Sequence, residues 1–116
     1  MVKNRTRIVP ARRVRLSRGT DGWELIKQID VPARPIPPSP DRPEDASQPW
    51  GEAVDAHGVC IHRMLLDVDD DGYTEAMVPV DARIVALDIF DGDRDEPVVQ
   101  VDLRGAGSGA PTGPRR

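Results

Sequence analysis

The chain has 116 residues, room for one small domain with a single core. Two Trp, one Tyr and one Phe are its only aromatic residues, against 12 Pro and 10 Gly, so the core must be mostly Val, Ile, Leu and Met. The net charge of −4 weighs against a whole-domain nucleic-acid binder, no apolar run approaches a membrane span, and the single cysteine, Cys60, excludes an internal disulfide.

A core this thin points to an oligomer or to part of a larger assembly. The basic N-terminus lacks the apolar segment of a signal peptide, which predicts a soluble, intracellular protein. Charge is unevenly spread. Residues 1–20 carry Lys3, Arg5, Arg7, Arg12, Arg13, Arg15 and Arg18 and no acid, whereas residues 41–102 carry 17 Asp or Glu against 4 Arg. The two halves can attract each other or meet different partners.

Residues 1–10 read as a basic arm. With the arginines that follow, it can neutralise phosphates without reading sequence, the one route to nucleic acid in so acidic a chain. Docking onto an acidic protein surface is the other reading of these seven basic residues. Residues 11–31 read as a first hairpin. Val14 and Leu16 alternate with Arg13, Arg15 and Ser17, giving one apolar and one basic face. The stretch Gly19–Gly22 supplies a turn. As a strand, Trp23–Val31 places Trp23, Leu25, Ile29 and Val31 on one face, with Lys27 the exception. A helix capped by Asp21, with Glu24 three residues on, is the alternative.

Residues 32–58 read as a proline-rich connector. Seven prolines lie from Pro32 to Pro49, a density that favours polyproline II and opposes both helix and ladder pairing. Such a segment serves as a spacer, a strap over the domain, or a ligand for a proline-recognising groove. Trp50 interrupts a polar stretch and reads as an anchor, onto the domain itself or into a partner.

Residues 59–104 read as a β-meander, the core of the chain. Its four runs, 61–68, 73–80, 84–90 and 98–103, are short and rich in β-branched residues. His62, Met64, Leu66 and Val68 share one side of the first. The third is apolar at nearly every position, which suits a strand covered on both faces. In the fourth, Val99, Val101 and Leu103 face inward. Asp71-Gly72 and Asp91-Gly92 supply positive-φ turns. Two stretches, 13–32 and 64–80, share a layout of apolar run, Asp-Gly, aromatic, apolar run, as two stacked hairpins would. Residues 105–116 have the composition of a flexible tail. The predicted fold class is all-β, a small antiparallel sheet or sandwich of about 4–6 strands.

One loop carries a chemical signal. From Asp67 to Glu75 the acids fall at loop positions 1, 3, 5 and 9, with Gly72 at 6. Calcium takes roughly six to eight oxygen ligands, and Asp67, Asp69, Asp71, the Tyr73 carbonyl and Glu75 are candidates. The helix-loop-helix version is excluded, because position 12 is Val78 and no flanking helices are evident. The shorter pattern resembles the calcium loops of β-propeller blade repeats. A solvated acidic turn with no cofactor is the competing reading. No catalytic set stands out. His57 and His62 are separated, Cys60 has no second cysteine for zinc, and Ser17, Ser39, Ser47 and Ser108 lie outside the main strand runs. No enzyme is expected.

The segment Val78-Pro79-Val80-Asp81-Ala82-Arg83-Ile84-Val85-Ala86-Leu87, within Ile61–Leu103, resembles small uncharacterised β-rich proteins encoded by actinobacterial phages. The resemblance implies a phage accessory protein, in the virion or in the host cytoplasm. The leading expectation is a non-enzymatic protein-binding module, a minor virion or capsid-associated protein of the decoration type. A regulatory or inhibitory protein that covers a host protein with its acidic face is second. A calcium-binding β module is third.

Overall fold

Alternation in the first strand orients the whole domain. Val14 and Leu16 point one way and are fully buried, while Arg13 and Arg15 point the other. The computed structural model describes residues 7–44, 47–92 and 96–103. These residues form β1 (Arg7–Gly19), β2 (Gly22–Ile36), β3 (Trp50–Val54), β4 (Cys60–Leu65), β5 (Tyr73–Pro79), β6 (Ala86–Phe90) and β7 (Val99–Asp102). All pairings are antiparallel. One sheet has the order β2-β1-β5 and the other β4-β3-β6-β7. No helix long and apolar enough to cross a membrane is present among the described residues.

The two sheets close over one core. Val14, Leu16, Ala76 and Val78 come from the three-stranded sheet, and Ala53, Met64, Leu87, Ile89 and Val101 from the four-stranded one. Leu66 and Leu103 complete it from just beyond strand ends. Burying each of Leu16, Leu66, Leu87 and Ile89 contributes roughly 2 kcal/mol. A Cβ on Gly51 would lie 2.8 Å from Met64 Sδ and 3.2 Å from Leu87 Cδ1, so these side chains pack directly on the β3 backbone there.

The expected all-β class is observed, with seven strands among the described residues rather than 4–6. The extra strand, β3, comes from the segment read as connector. It is central in its sheet, paired with β4 and β6, and every residue is buried. The connector also loses its first residues to β2, which runs on through Pro32 and Pro35 to Ile36. Two features admit those prolines. β2 is an edge strand, and its register with β1 shifts between Val9 and Ala11, where β2 carries an extra residue near Pro32.

Trp23–Val31 is strand rather than the alternative helix, but it has no single face. A second bulge at Ile26 flips the phase, so Trp23 and Leu25 share a face with Gln28 and Asp30. The meander over 59–104 is also corrected. β5 leaves its neighbours and pairs with β1, so the runs divide between two sheets. The turn before β5 folds on itself, and Arg18 N donates to Gly72 O at 2.7 Å at the start of the ladder to β1. The first expected hairpin forms as β1 and β2, whereas β4 and β5 fall in different sheets, so the second does not. The basic arm before Arg7 and the tail at 105–116 lie outside the described residues.

Candidate functional site

β4 and β5, one edge strand from each sheet, meet on the same side of the sandwich. The chain after β2 passes this side as a strap. Arg63 N donates to Ser39 Oγ at 2.8 Å, and Arg63 Nη1 donates to the Pro40 carbonyl at 3.0 Å. The strap thus caps part of the β4 edge, a common protection against strand addition.

Further along, the strap locks onto the outer face of the four-stranded sheet. Trp50 and Phe90, register partners on β3 and β6, stack with centroids 4.9 Å apart. The Arg42 guanidinium lies 5.8 and 5.6 Å from the two ring centroids. Beside them sits Glu52, only 5% exposed. Its Oε2 accepts from Arg63 Nε at 3.0 Å, Trp50 Nε1 at 3.1 Å and Arg42 Nε at 3.2 Å. Burial pushes this carboxyl up. Hydrogen bonds from Arg63 and Trp50 and the charges of Arg63 and Arg42 outweigh that, and hold it below its ordinary value. The arrangement is a clamp on the strap, with Glu52 ionised at its centre.

Between the two strand edges lies an open groove of about 370 Å³. Met64 and Leu65 of β4 and Met77 and Glu75 of β5 form its walls, and Pro37, Pro38 and Pro40 form its lid. The backbone adds to this. Gly72 O accepts from Arg18 N and Val80 N donates to Pro10 O, so the alternation of an antiparallel ladder directs the backbone groups of Thr74, Ala76 and Val78 toward β1. Tyr73, Glu75 and Met77 therefore direct their backbone groups to the free edge. Asp69 takes those of Tyr73, through its own N–H and its Oδ1. Those of Glu75 and Met77 open onto the groove.

The sequence candidates fall in several places. Lys3 and Arg5 lie outside the described residues, and Arg7 is placed only by its backbone, opposite Ile36. Arg12 turns inward, donating to Asp30 at 3.0 Å and to the Leu103 carbonyl at 2.8 Å. Arg13 and Arg15 flank Glu75 at 3.7 and 3.8 Å. Arg18 meets Asp91 at 3.4 Å, beside a 2.9 Å bond from Trp23 Nε1 to the same carboxylate. Arg12 and Arg18 reach across to the other sheet's chain, and Arg13 and Arg15 pair within their own sheet. Trp50 is 5% exposed and anchors onto the domain itself.

The acidic loop is built as a turn. Asp69 Oδ1 accepts from Asp71 N and Tyr73 N, both at 2.9 Å, and Gly72 N donates to Asp69 O. The same geometry recurs from Asp55 to Val59, with Gly58 in place of Gly72. The second copy has no neighbouring acids, so the geometry serves the backbone. Asp67, Asp69, Asp71, Tyr73 and Glu75 are not drawn together: Glu75 is on β5 between arginines, and the Tyr73 carbonyl accepts from Asp69 N. Among the described residues no group of three or more His, Cys, Asp or Glu is placed to hold a metal ion. Cys60 is half-buried, and burial pushes its thiol up, away from nucleophilic character.

Sequence reasoning missed Glu52, Arg42, Arg63 and the groove. One signal was present. In Trp-Gly-Glu-Ala-Val a lone acid sits among small and apolar residues, as a buried, paired carboxylate does. The groove had none, because its walls are distant in the pairing scheme. Comparison with known proteins returns no matching family model, no matching curated protein and no matching solved structure.

Proposed function

We propose that this chain is a non-enzymatic protein-binding module. The observation that carries the reading is the groove at the open side of the sandwich. It joins apolar walls to outward-directed backbone groups of Glu75 and Met77, the combination by which sheet edges receive another chain. The clamp at Glu52 supports it, since holding the strap on the opposite face fixes the lid of the groove.

The resemblance of Ile61–Leu103 to actinobacteriophage proteins makes the leading role that of a minor virion component attached to a capsid protein. Mass spectrometry of purified particles of the encoding phage tests it: the chain is expected in the particles, and its absence removes this role. The second role, covering a basic site on a host protein, is favoured by the exposed acids at Asp67, Asp69, Asp70 and Asp71. A host-lysate pull-down tests it. The expected partner is released as salt rises, because exposed charge pairs are screened.

A further inference from the structure

The protein-binding reading leaves open what enters the groove, and the inference here rests on that reading. We propose that the groove between β4 and β5 takes an extended segment of a partner protein, pairs it with the β5 edge, and selects a large apolar side chain flanked by lysine or arginine.

Three observations converge. The first is the edge itself. Glu75 and Met77 aim their N–H and C=O groups outward, and no other strand among the described residues pairs there. The strap passes close by but cannot complete a ladder on this edge, because Pro37, Pro38 and Pro40 have no N–H to donate. The second is shape. A volume of about 370 Å³ walled by Met64, Leu65 and Met77 has room for a large side chain, and thioethers adapt to what enters. The third is charge. The loop joining the two walls carries Asp67, Asp69, Asp70 and Asp71, all exposed, whereas Glu75 on one wall is already paired with Arg13 and Arg15. Arg63, the cation among the lining residues, turns its guanidinium to Glu52 and the Pro40 carbonyl. The loop end of the groove is therefore negative, and a basic flank is attracted to it.

The test uses the full chain and a fluorescein-labelled peptide, Lys-Val-Lys-Phe-Lys-Val-Lys, blocked at both ends and followed by anisotropy. Saturable binding is expected, with amide NMR shifts at Glu75 and Met77. Exchanging every Lys of the peptide for Glu is expected to weaken binding at least about ten-fold. N-methylation of the peptide amides that face β5 is expected to do the same, as is Phe replaced by Ser. Met77→Asp is expected to weaken binding about ten-fold or more, while Ile26→Asp, on the far edge strand, leaves it unchanged. The peptide variants keep the test decisive should Met77→Asp unfold the chain.

No saturable binding up to about 1 mM peptide overturns the proposal. Binding that ignores N-methylation, with shifts confined to Asp67–Gly72, overturns it in favour of charge attraction alone. A dimer in sedimentation that Met77→Asp dissociates overturns it in favour of a second copy on the edge. Particle or lysate capture unaffected by Met77→Asp also overturns it, yet leaves the protein-binding reading standing.

Discussion

The outer faces of the two sheets use the same three ingredients, arginine, carboxylate and aromatic ring, to different effect. On the three-stranded sheet, Arg13 and Arg15 flank Glu75 at 3.7 and 3.8 Å, and Arg15 lies 5.2 Å from the Tyr73 ring, all within reach of water. On the four-stranded sheet, Arg42 and Arg63 meet Glu52 at 3.2 and 3.0 Å against stacked rings, under the strap. Water and salt screen the first set, and its net contribution is small. The second is different. The Glu52 side chain is 7% and that of Arg63 20% exposed, so removing Glu52 leaves the largely covered Arg63 charge without its partner, although Arg42 keeps about half of its side chain in water. The residue types do not decide which interaction matters; what covers them does.

Breaking the covered set gives the largest effect. Glu52→Ala is expected to cost about 3 kcal/mol in urea unfolding and to free the strap, seen as a change in Trp50 fluorescence. Its pH dependence has a definite sign. The carboxyl sits below its ordinary 4.5 when folded. Its contribution is therefore full above about 4.5 and is lost as pH falls through the lower folded value. Wild type is expected to lose stability more steeply than Glu52→Gln below pH 4.5; parallel profiles would contradict the clamp.

Next comes Gly72, where φ is +89° and a Cβ would lie 2.7 Å from the Arg18 carbonyl oxygen. Gly72→Ala is expected to cost about 2 kcal/mol, since backbone cannot move aside as a side chain can. Asp69→Ala removes the acceptor of two turn N–H groups and is expected to cost about 1 kcal/mol, with Asp70→Ala near zero. Equal effects of the two would contradict Asp69 as the turn's organiser. The open face gives the smallest effect. Glu75→Ala is expected to shift stability by less than about 0.5 kcal/mol, and a loss as large as that of Glu52→Ala would erase the contrast between the faces.

Much of the sandwich was legible where alternation was strict. Val14 and Leu16 against Arg13 and Arg15 oriented β1, and Val101 and Leu103 oriented β7. The nearly continuous apolar run of β6 announced a strand covered on both faces, as Trp50 and the core confirm. Three features were hidden. β3 has Gly and Glu at its centre, and its burial depends on Arg42 and Arg63, both remote in sequence. The bulge at Ile26 is set by pairing with β1, which local pattern does not record. The transfer of β5 to the other sheet rests on its seven-residue ladder with β1, a partner remote in sequence that local pattern does not name. At the candidate site, the run of acids was visible but its role was not. The twin turn at Asp55–Val59 supplies that role, because its shared feature is Asp followed by Gly three residues on, with one acid and not five.

Amide hydrogen exchange of the isolated chain tests the central claim, that the strap guards β4 and leaves β5 open. Slow exchange is expected at Arg63, whose N–H meets Ser39 Oγ, and at Ala76 and Val78, which face β1, with fast exchange at Glu75 and Met77. Protection at Glu75 and Met77 equal to that at Ala76 and Val78, in a monomeric chain, would contradict it.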